Sequence, residues 1–197
     1  MYNTYGTIDR CYGNLREFFR YTVGECIEKM RFLCYKKHND KSEFVKVNEM
    51  EAMFGESSCI DSWMQLVRKV SWNFLGLETE ERIYEHEQTV LKFMNKKQAL
   101  CVQSQETVIG VLLFSRSNNM ICCLAVDPDY RKQGVASILL RKALDELDRS
   151  REITVSTFRE NDEKGIAPRA LYRKFGFQEG ELTEEFGYPN QVFFLRP

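Results

Sequence analysis

This chain of 197 residues has little of several features that mark particular classes of protein. Its 28 lysines and arginines are balanced by 29 aspartates and glutamates, and the formal net charge of −1 argues against nonspecific binding to nucleic acid or membrane surfaces. No apolar run approaches the roughly 20 residues that cross a bilayer. The first residues lack the basic and then apolar pattern of a secretion signal, so we expect a cytoplasmic protein.

Cysteine and histidine are arranged in ways that argue against common structural sites. The seven cysteines are an odd number without a Cys-x-x-Cys pair, which favours neither a disulfide framework nor a zinc site. Several lie in apolar runs, where a cysteine behaves as a small buried hydrophobic residue. The two histidines, His38 and His86, are far apart and have polar neighbours, so we expect both at the surface. No metal site is expected.

One segment has the pattern of a phosphate-binding loop. An apolar run from Ile121 to Val126 ends at Asp127-Pro128, and helical periodicity follows from Val135 to Leu147. This pattern predicts a strand, a loop and a helix that begins after Gly134. Backbone N–H groups in the first turn of a helix have no partner within the helix, and the helix dipole adds positive charge there. A glycine lets the backbone approach a ligand closely, so the segment suits a phosphate group.

The details of the loop decide which phosphate ligand it fits. The Gly-Lys-Ser/Thr ending of a Walker A loop is missing, and so is the Gly-x-Gly-x-x-Gly pattern of a dinucleotide fold. The sequence Arg131-x-x-Gly134-x-Ala136 instead resembles the pyrophosphate loop of the GCN5-related N-acetyltransferase (GNAT) family. A later segment, 171–177, resembles that family's second signature, Leu-Tyr-x-x-x-Gly-Phe. Two motifs in this order, separated by a predicted strand, are more specific than either alone.

The periodicity of the remaining chain predicts the elements around these motifs. Apolar residues at helical spacing predict helices over 61–75 and 79–96, and short apolar runs predict strands. The expected strands are 43–47, 99–103, 108–114, 121–126, 153–158, 177–182 and 191–195. A short helix is expected in the second motif, with Pro168 near its first position and Gly176 as its C-terminal cap.

A meander of antiparallel strands followed by one crossover helix gives a mixed sheet. This order agrees with the GNAT fold, an α/β (α+β) architecture in which helices flank a mostly antiparallel sheet with splayed central strands. We assign residues 42–197 to the GNAT acetyltransferase domain and residues 1–41 to an N-terminal helical extension. The apolar stripe of the extension is expected first to pack on the sheet or substrate cleft of this domain. The alternatives are a homodimer contact and, last, a separately functional module.

The resemblance implies a donor site for acetyl-CoA. Backbone groups of the splayed strand at Leu124, Ala125 and Val126 would hold the pantetheine arm. The pyrophosphate would bind the loop residues Arg131, Lys132, Gln133, Gly134, Val135 and Ala136.

Two further residues match family positions less directly. Tyr172 corresponds to the tyrosine that often protonates the CoA thiolate, and the alternative is that it anchors its helix against the sheet. Asn161 lies further from Tyr172 than the asparagine that contacts the CoA arm in other members. Either the loop is longer here or Asn161 is not the equivalent residue.

The expected function is that of an acetyl-CoA-dependent N-acetyltransferase that transfers an acetyl group directly to a primary amine of a small molecule or peptide. The alternative is a noncatalytic acyl-CoA-binding or regulatory module that retains the cofactor loop. Expected partners are acetyl-CoA and an amine acceptor, without nucleic acid or membrane. Cys122 and Cys123 suggest a covalent acyl-enzyme, but no histidine is near either cysteine in the sequence, and direct transfer is the family's usual route.

The acceptor side is less well defined by the sequence. Where some family members carry a glutamate base, this chain has the segment 118–121, Asn-Asn-Met-Ile, which contains no carboxylate. Three alternatives would replace this base: a water relay, a residue from elsewhere in the chain, or an acceptor amine that is already partly deprotonated. Four glutamates near the last hairpin either attract a cationic amine or form a solvated turn; they are Glu179, Glu181, Glu184 and Glu185.

Overall fold

The structure, a computed structural model, describes residues 50–74 and 76–197. Predictions for the helical extension 1–41, its boundary with the domain and the strand 43–47 lie outside these residues and stay predictions. Within them, no helix is long and apolar enough to cross a membrane.

The described residues form one seven-stranded sheet, with two helices between its first and second strands and two between later strands. The strands are β1 Met53–Phe54, β2 Ala99–Ser104, β3 Thr107–Ser115, β4 Met120–Val126, β5 Ile153–Phe158, β6 Gln178–Glu185 and β7 Tyr188–Leu195. The helices are α1 Ile60–Val70, α2 Glu80–Asn95, α3 Val135–Glu146 and α4 Glu163–Lys174. The strand order is β1-β2-β3-β4-β5-β7-β6, and only β4 and β5 pair in parallel. The predicted mixed, mostly antiparallel sheet flanked by helices is confirmed.

A hydrophobic core covers each face of the sheet. On one face, Leu139 and Leu140 of α3 are fully buried in a cluster that includes Leu112 of β3. On the other face, Trp63 of α1 and Val90 of α2 are fully buried in a cluster that includes neighbouring β3 residues. A strand covered on both faces has a continuous apolar run rather than alternation, as β3 does.

The two central strands separate soon after they meet. β4 pairs with β5 only at Met120 with Thr154 and at Ile121 with Val155. β4 also carries a bulge at this point, because the pairing with β3 skips Cys122. A bulge bends its strand. Beyond it β4 follows β3 while β5 follows β7, which leaves an open wedge between β4 and β5. The predicted splay of the central strands is confirmed.

Asn119 fixes the point where this pair begins. It is 1% exposed and has a left-handed backbone with φ +51°. Its side-chain Nδ2 donates to the carbonyl oxygens of Glu152 at 2.9 Å and Asp148 at 3.0 Å, and its Oδ1 accepts from the Asp148 N–H at 2.9 Å. Its own carbonyl accepts from the Thr154 N–H at 3.2 Å. The β3–β4 turn is thereby joined to the loop that leads into β5.

Helix boundaries show where local sequence signals compete. Thr79 caps α2 by accepting the Arg82 N–H, as its position predicts. The expected start of α4 near Pro168 is wrong, because Asp162 caps the helix by accepting the Lys164 N–H and Pro168 becomes its sixth residue. The missing proline N–H removes one helical hydrogen bond without ending the helix. Gly176 follows the C-cap with φ +87°, as predicted.

Replacing Asn119 by alanine should destabilise the domain by about 3 kcal/mol. The substitution leaves buried carbonyl and N–H groups without partners and places a Cβ-bearing residue with no side-chain hydrogen bond at positive φ. Urea unfolding of Asn119→Ala would measure this loss, with Asn118→Ala, an exposed position in the same turn, as the matched control. Equal midpoints for the two variants would contradict this role of Asn119.

Candidate active site

The loop between β4 and α3 presents backbone N–H groups to solvent. Lys132 and Gly134 both have left-handed backbones, with φ +60° and +90°. Gly134 is the N-cap residue of α3, and no side chain caps the helix. The first-turn N–H groups of Val135, Ala136 and Ser137 therefore lack helical acceptors. Two exposed cations, Arg131 and Lys132, precede them, so the loop has the donors and the charge that a phosphate requires.

A close approach of backbone and helix sets the position of this loop. A Cβ built on Gly110 of β3 would lie 2.4 Å from Cγ1 of Val135 and 3.1 Å from Cδ1 of Leu139. Gly110 pairs with Val126, the last residue of β4. The first turn of α3 therefore rests directly on the sheet beside the end of β4.

An ion-pair cluster holds the beginning of the loop. Asp127, 8% exposed, accepts from the Asp129 N–H at 3.0 Å and from Lys69 Nζ of α1 at 2.7 Å. Lys69 also reaches Asp129 at 2.6 Å, and these two hydrogen bonds raise the lysine pKa. Lys69 is largely solvated, so the stabilisation is modest. The cluster still connects α1 to the loop.

The wedge exposes one edge of β4. Beyond Ile121 this edge has no ladder partner on β5. The predicted pantetheine residues lie there: Ala125 is buried in the α1–α2 core, whereas Leu124 and Val126 are half-buried against the α3 core. Packing and ligand binding are compatible here, because the side chains fill the cores while the backbone edge stays unpaired.

Tyr172 is a buried residue of α4. It is 4% exposed, and its ring centroid is 5.7 Å from that of Phe177 and 6.0 Å from that of Phe193. Its hydroxyl makes no hydrogen bond with any described residue. Burial, with a smaller effect of the Cys123 thiol, raises the pKa of Tyr172 above its ordinary value. The phenol therefore stays protonated at neutral pH, while its ring also anchors α4 in the core.

Asn161, the predicted contact of the CoA arm, lies just before α4. Asn161 is exposed and lies in the turn between β5 and Asp162, the N-cap of α4. The longer connection expected from the sequence is partly taken up by α4, which begins at Glu163. A contact between Asn161 and CoA stays a prediction.

Comparison with known proteins agrees with this architecture. A family model described as an acetyltransferase (GNAT) domain matches residues 95–179, from the end of α2 into β6. This span contains the loop, the wedge and Tyr172. The matched residues have the pattern of a GNAT acetyltransferase domain. No curated protein matches the sequence of this chain.

Solved structures share the GNAT fold with this chain. A GNAT-family acetyltransferase from Bacillus cereus ATCC 10987 superimposes with a TM-score of 0.59 at 17% identity, covering 75% of this chain and 96% of that one. The PaiA N-acetyltransferase of Thermoplasma acidophilum, solved with coenzyme A, gives 0.58 at 16% identity, covering 76% and 99%. RimL, a ribosomal L7/L12 α-N-protein acetyltransferase solved with coenzyme A, gives 0.57 at 18% identity, covering 75% and 93%. At these identities the likeness establishes the fold.

Three segments that are distant in the sequence meet after the end of α1. Lys164 Nζ in the first turn of α4 donates to the Trp72 carbonyl at 3.4 Å. The Phe186 ring in the β6–β7 turn lies 3.5 Å from the position of a Cβ on Gly76. Trp72 and Phe186 are 62% and 81% exposed, so two aromatic rings are available to solvent where these segments converge.

The glutamates of β6 are partly used by the fold. Glu179 forms ion pairs with Arg173 and with the buried Arg169, and the Arg173 hydrogen bond in particular lowers its pKa. Glu185 accepts from Asn190 at 3.2 Å. Among the four, only the side chains of Glu181 and Glu184 make no hydrogen bond or ion pair with another described residue, so an attraction of this cluster for an amine stays a prediction.

The expectation of a surface position for His86 is wrong. The residue is half-buried on α2, lines a small cavity with Cys123 and Ala125 of β4, and burial lowers its pKa. The signal that could have found it is helical spacing, since position 86 falls on the stripe formed by Ile83 and Val90. His38 lies outside the described residues. Within residues 50–74 and 76–197, no group of three or more His, Cys, Asp or Glu could hold a metal ion.

The two cysteines of β4 are poorly suited to covalent catalysis. Burial raises the pKa of Cys122 to about 11 and that of Cys123 to about 12. The thiolate is the reacting form of cysteine, and it is scarce at neutral pH when the pKa is this high.

Cys122 should consequently react slowly with iodoacetamide. At pH 7.5 we expect alkylation roughly tenfold slower than that of N-acetylcysteinamide, because the lower thiolate fraction outweighs the greater nucleophilicity of a more basic thiolate. Peptide mass spectrometry after timed quenching would measure the rate. Alkylation of Cys122 as fast as the free thiol would mean that its environment favours the thiolate.

Proposed function

We propose that this GNAT domain is an acetyl-CoA-dependent N-acetyltransferase that transfers an acetyl group directly to a primary amine of a small molecule or peptide. The observation that carries the proposal is the open wedge between β4 and β5 beside the uncapped start of α3. A phosphate-bearing ligand with an extended amide arm fits both features at once. The neighbours solved with coenzyme A support the same ligand.

The donor site uses mainly backbone groups. The N–H groups of the loop from Arg131 to Ala136 would bind the pyrophosphate, with the side chains of Arg131 and Lys132 adding positive charge. The unpaired edge of β4 from Leu124 to Val126 would hydrogen-bond the pantetheine amides as an added strand does. Asn161 is assigned to the same arm.

Two groups of the chain would assist acetyl transfer. Acetyl-CoA supplies an acetyl group activated as a thioester. A backbone N–H near Leu124 or Ala125 would stabilise negative charge on the acetyl oxygen. Tyr172 would donate its proton to the departing sulfur, since its phenol is protonated at neutral pH.

The proposed acceptor is a primary amine, which covers both small molecules and peptides. RimL is described as acting on a ribosomal protein N-terminus, and MccE, another neighbour of the same fold, is a self-immunity acetyltransferase for microcin C7. A cytoplasmic location and a homodimer belong to the proposal and are supported only by the sequence.

The absence of a carboxylate at 118–121 favours one alternative, a noncatalytic CoA-binding module. Release of CoASH from acetyl-CoA across a panel of butylamine, phenethylamine, an aminoglycoside and a peptide with a free N-terminal serine separates the two. Turnover of any member supports the enzyme. Tight CoA binding without turnover of any member contradicts it and favours the module.

Replacing Gly134 by glutamate should weaken CoA binding by at least about 100-fold. The substitution places a carboxylate and a side chain at left-handed φ beside the first-turn N–H groups of α3. Isothermal titration with CoA measures the affinity. Gly187→Glu is the matched control, because Gly187 also has positive φ, at +76°, and open space around its Cβ position. Retained CoA affinity in Gly134→Glu would exclude the pyrophosphate assignment.

Replacing Tyr172 by phenylalanine should lower kcat by about 100-fold and leave CoA affinity within a factor of about two, since only the proton donor is lost. Steady-state kinetics with an amine from the panel, alongside CoA titration, tests this. Tyr84→Phe, at an exposed tyrosine of α2, is the control. Unchanged kcat would leave Tyr172 with its anchoring role alone.

A further inference from the structure

A small cavity lies between the helices α1 and α2 and the strands β3 and β4. Its volume of about 20 Å³ is room for one water molecule. On the sheet side it is lined by Cys123 and Ala125, the residues on either side of Leu124. The cavity therefore ends on the part of β4 that borders the wedge.

Two residues that line this cavity, Trp63 and His86, carry polar groups without a hydrogen-bond partner. Trp63 is fully buried, and its Nε1–H makes no hydrogen bond. The Cζ3 and Cε3 edge of its indole faces Gly55, so Nε1 lies on the opposite edge of the ring. The His86 imidazole makes no hydrogen bond or ion pair with any described residue. Buried polar groups are almost always satisfied, so a donor and an imidazole beside a space for one water indicate a bridging water.

The charge state of His86 suits a proton acceptor. Burial lowers its pKa, so the imidazole is neutral at neutral pH. The other titratable group that lines the cavity is Cys123, and its thiol is also neutral because burial raises its pKa to about 12. The lining residues of α1, of β3 and of the segment after α1 carry no charge. No carboxylate is therefore present there to hold the imidazolium once it forms.

We propose that His86 receives the proton released by the acceptor amine, through one water held between its imidazole and the Trp63 Nε1–H. This inference rests on the proposed acetyltransferase function. The amine nitrogen bonds to the acetyl carbon, the carbon–sulfur bond breaks, and the sulfur takes the Tyr172 proton. The nitrogen proton passes through the water to His86. The imidazolium then returns its proton to solvent, and the Tyr172 phenolate regains one.

A spectroscopic test needs no acceptor. The chain has two histidines, so His86→Gln assigns the imidazole resonances of His86 and His38. We expect His86 to titrate below an ordinary histidine, and its resonances to shift when acetyl-CoA saturates the protein. Trp63→Phe, which keeps an aromatic ring but removes the N–H, should also move them. An ordinary pKa together with resonances unaffected by acetyl-CoA would overturn the proposal.

A kinetic test separates this inference from the function on which it rests. With an amine that the wild type acetylates, kcat/KM should rise with pH through the low pKa of His86. His86→Gln should lower kcat about 100-fold, remove that limb and leave CoA affinity unchanged. Trp63→Phe should give a smaller loss, and Tyr84→Gln, exposed on the same helix, should give none. Wild-type kcat and pH profile in His86→Gln would overturn the role of His86, whereas an inactive wild type that binds CoA would overturn the enzyme function itself.

Discussion

The side-chain hydrogen bonds of Asn119 determine where the central strands meet, and the donor site depends on where they part. Asn119 joins the β3–β4 turn to the loop before β5, so β4 and β5 are paired only at their beginnings. The bulge at Cys122 follows at once and turns β4 away. The buried amide of Asn119 thus lies at the closed end of the wedge, and the bulge lies where the wedge opens.

An open wedge in a sheet leaves backbone groups unpaired, which is costly unless another contact or solvent satisfies them. The surrounding packing makes this arrangement tolerable. β3 is buried on both faces, β5 pairs along its whole length with β7, and the Tyr172 ring packs against Phe177 and Phe193. The strands on either side of the wedge are therefore held by their own pairing and packing.

The donor half of the site could be predicted from the sequence because its parts are contiguous. Strand, loop and first helical turn follow one another within 16 residues from Ile121 to Ala136, and their signals are local. The start of α4 was missed because Asp162 caps the helix earlier than Pro168 suggested. The convergence of the segments around Trp72, Lys164 and Phe186 could not be predicted, since it arises only through tertiary packing. His86 was misjudged because its polar neighbours concealed its place on the apolar stripe of α2.

The position of the loop depends on Gly110, a glycine in the core of the sheet. It lies in the middle of an apolar strand, where alanine or valine would suit both strand formation and burial. A single methyl group there would meet Val135 and push the start of α3 off the sheet. Glycine at 110 is therefore required by the packing of α3 on the sheet, and the same packing places the N–H groups of the loop beside the end of β4.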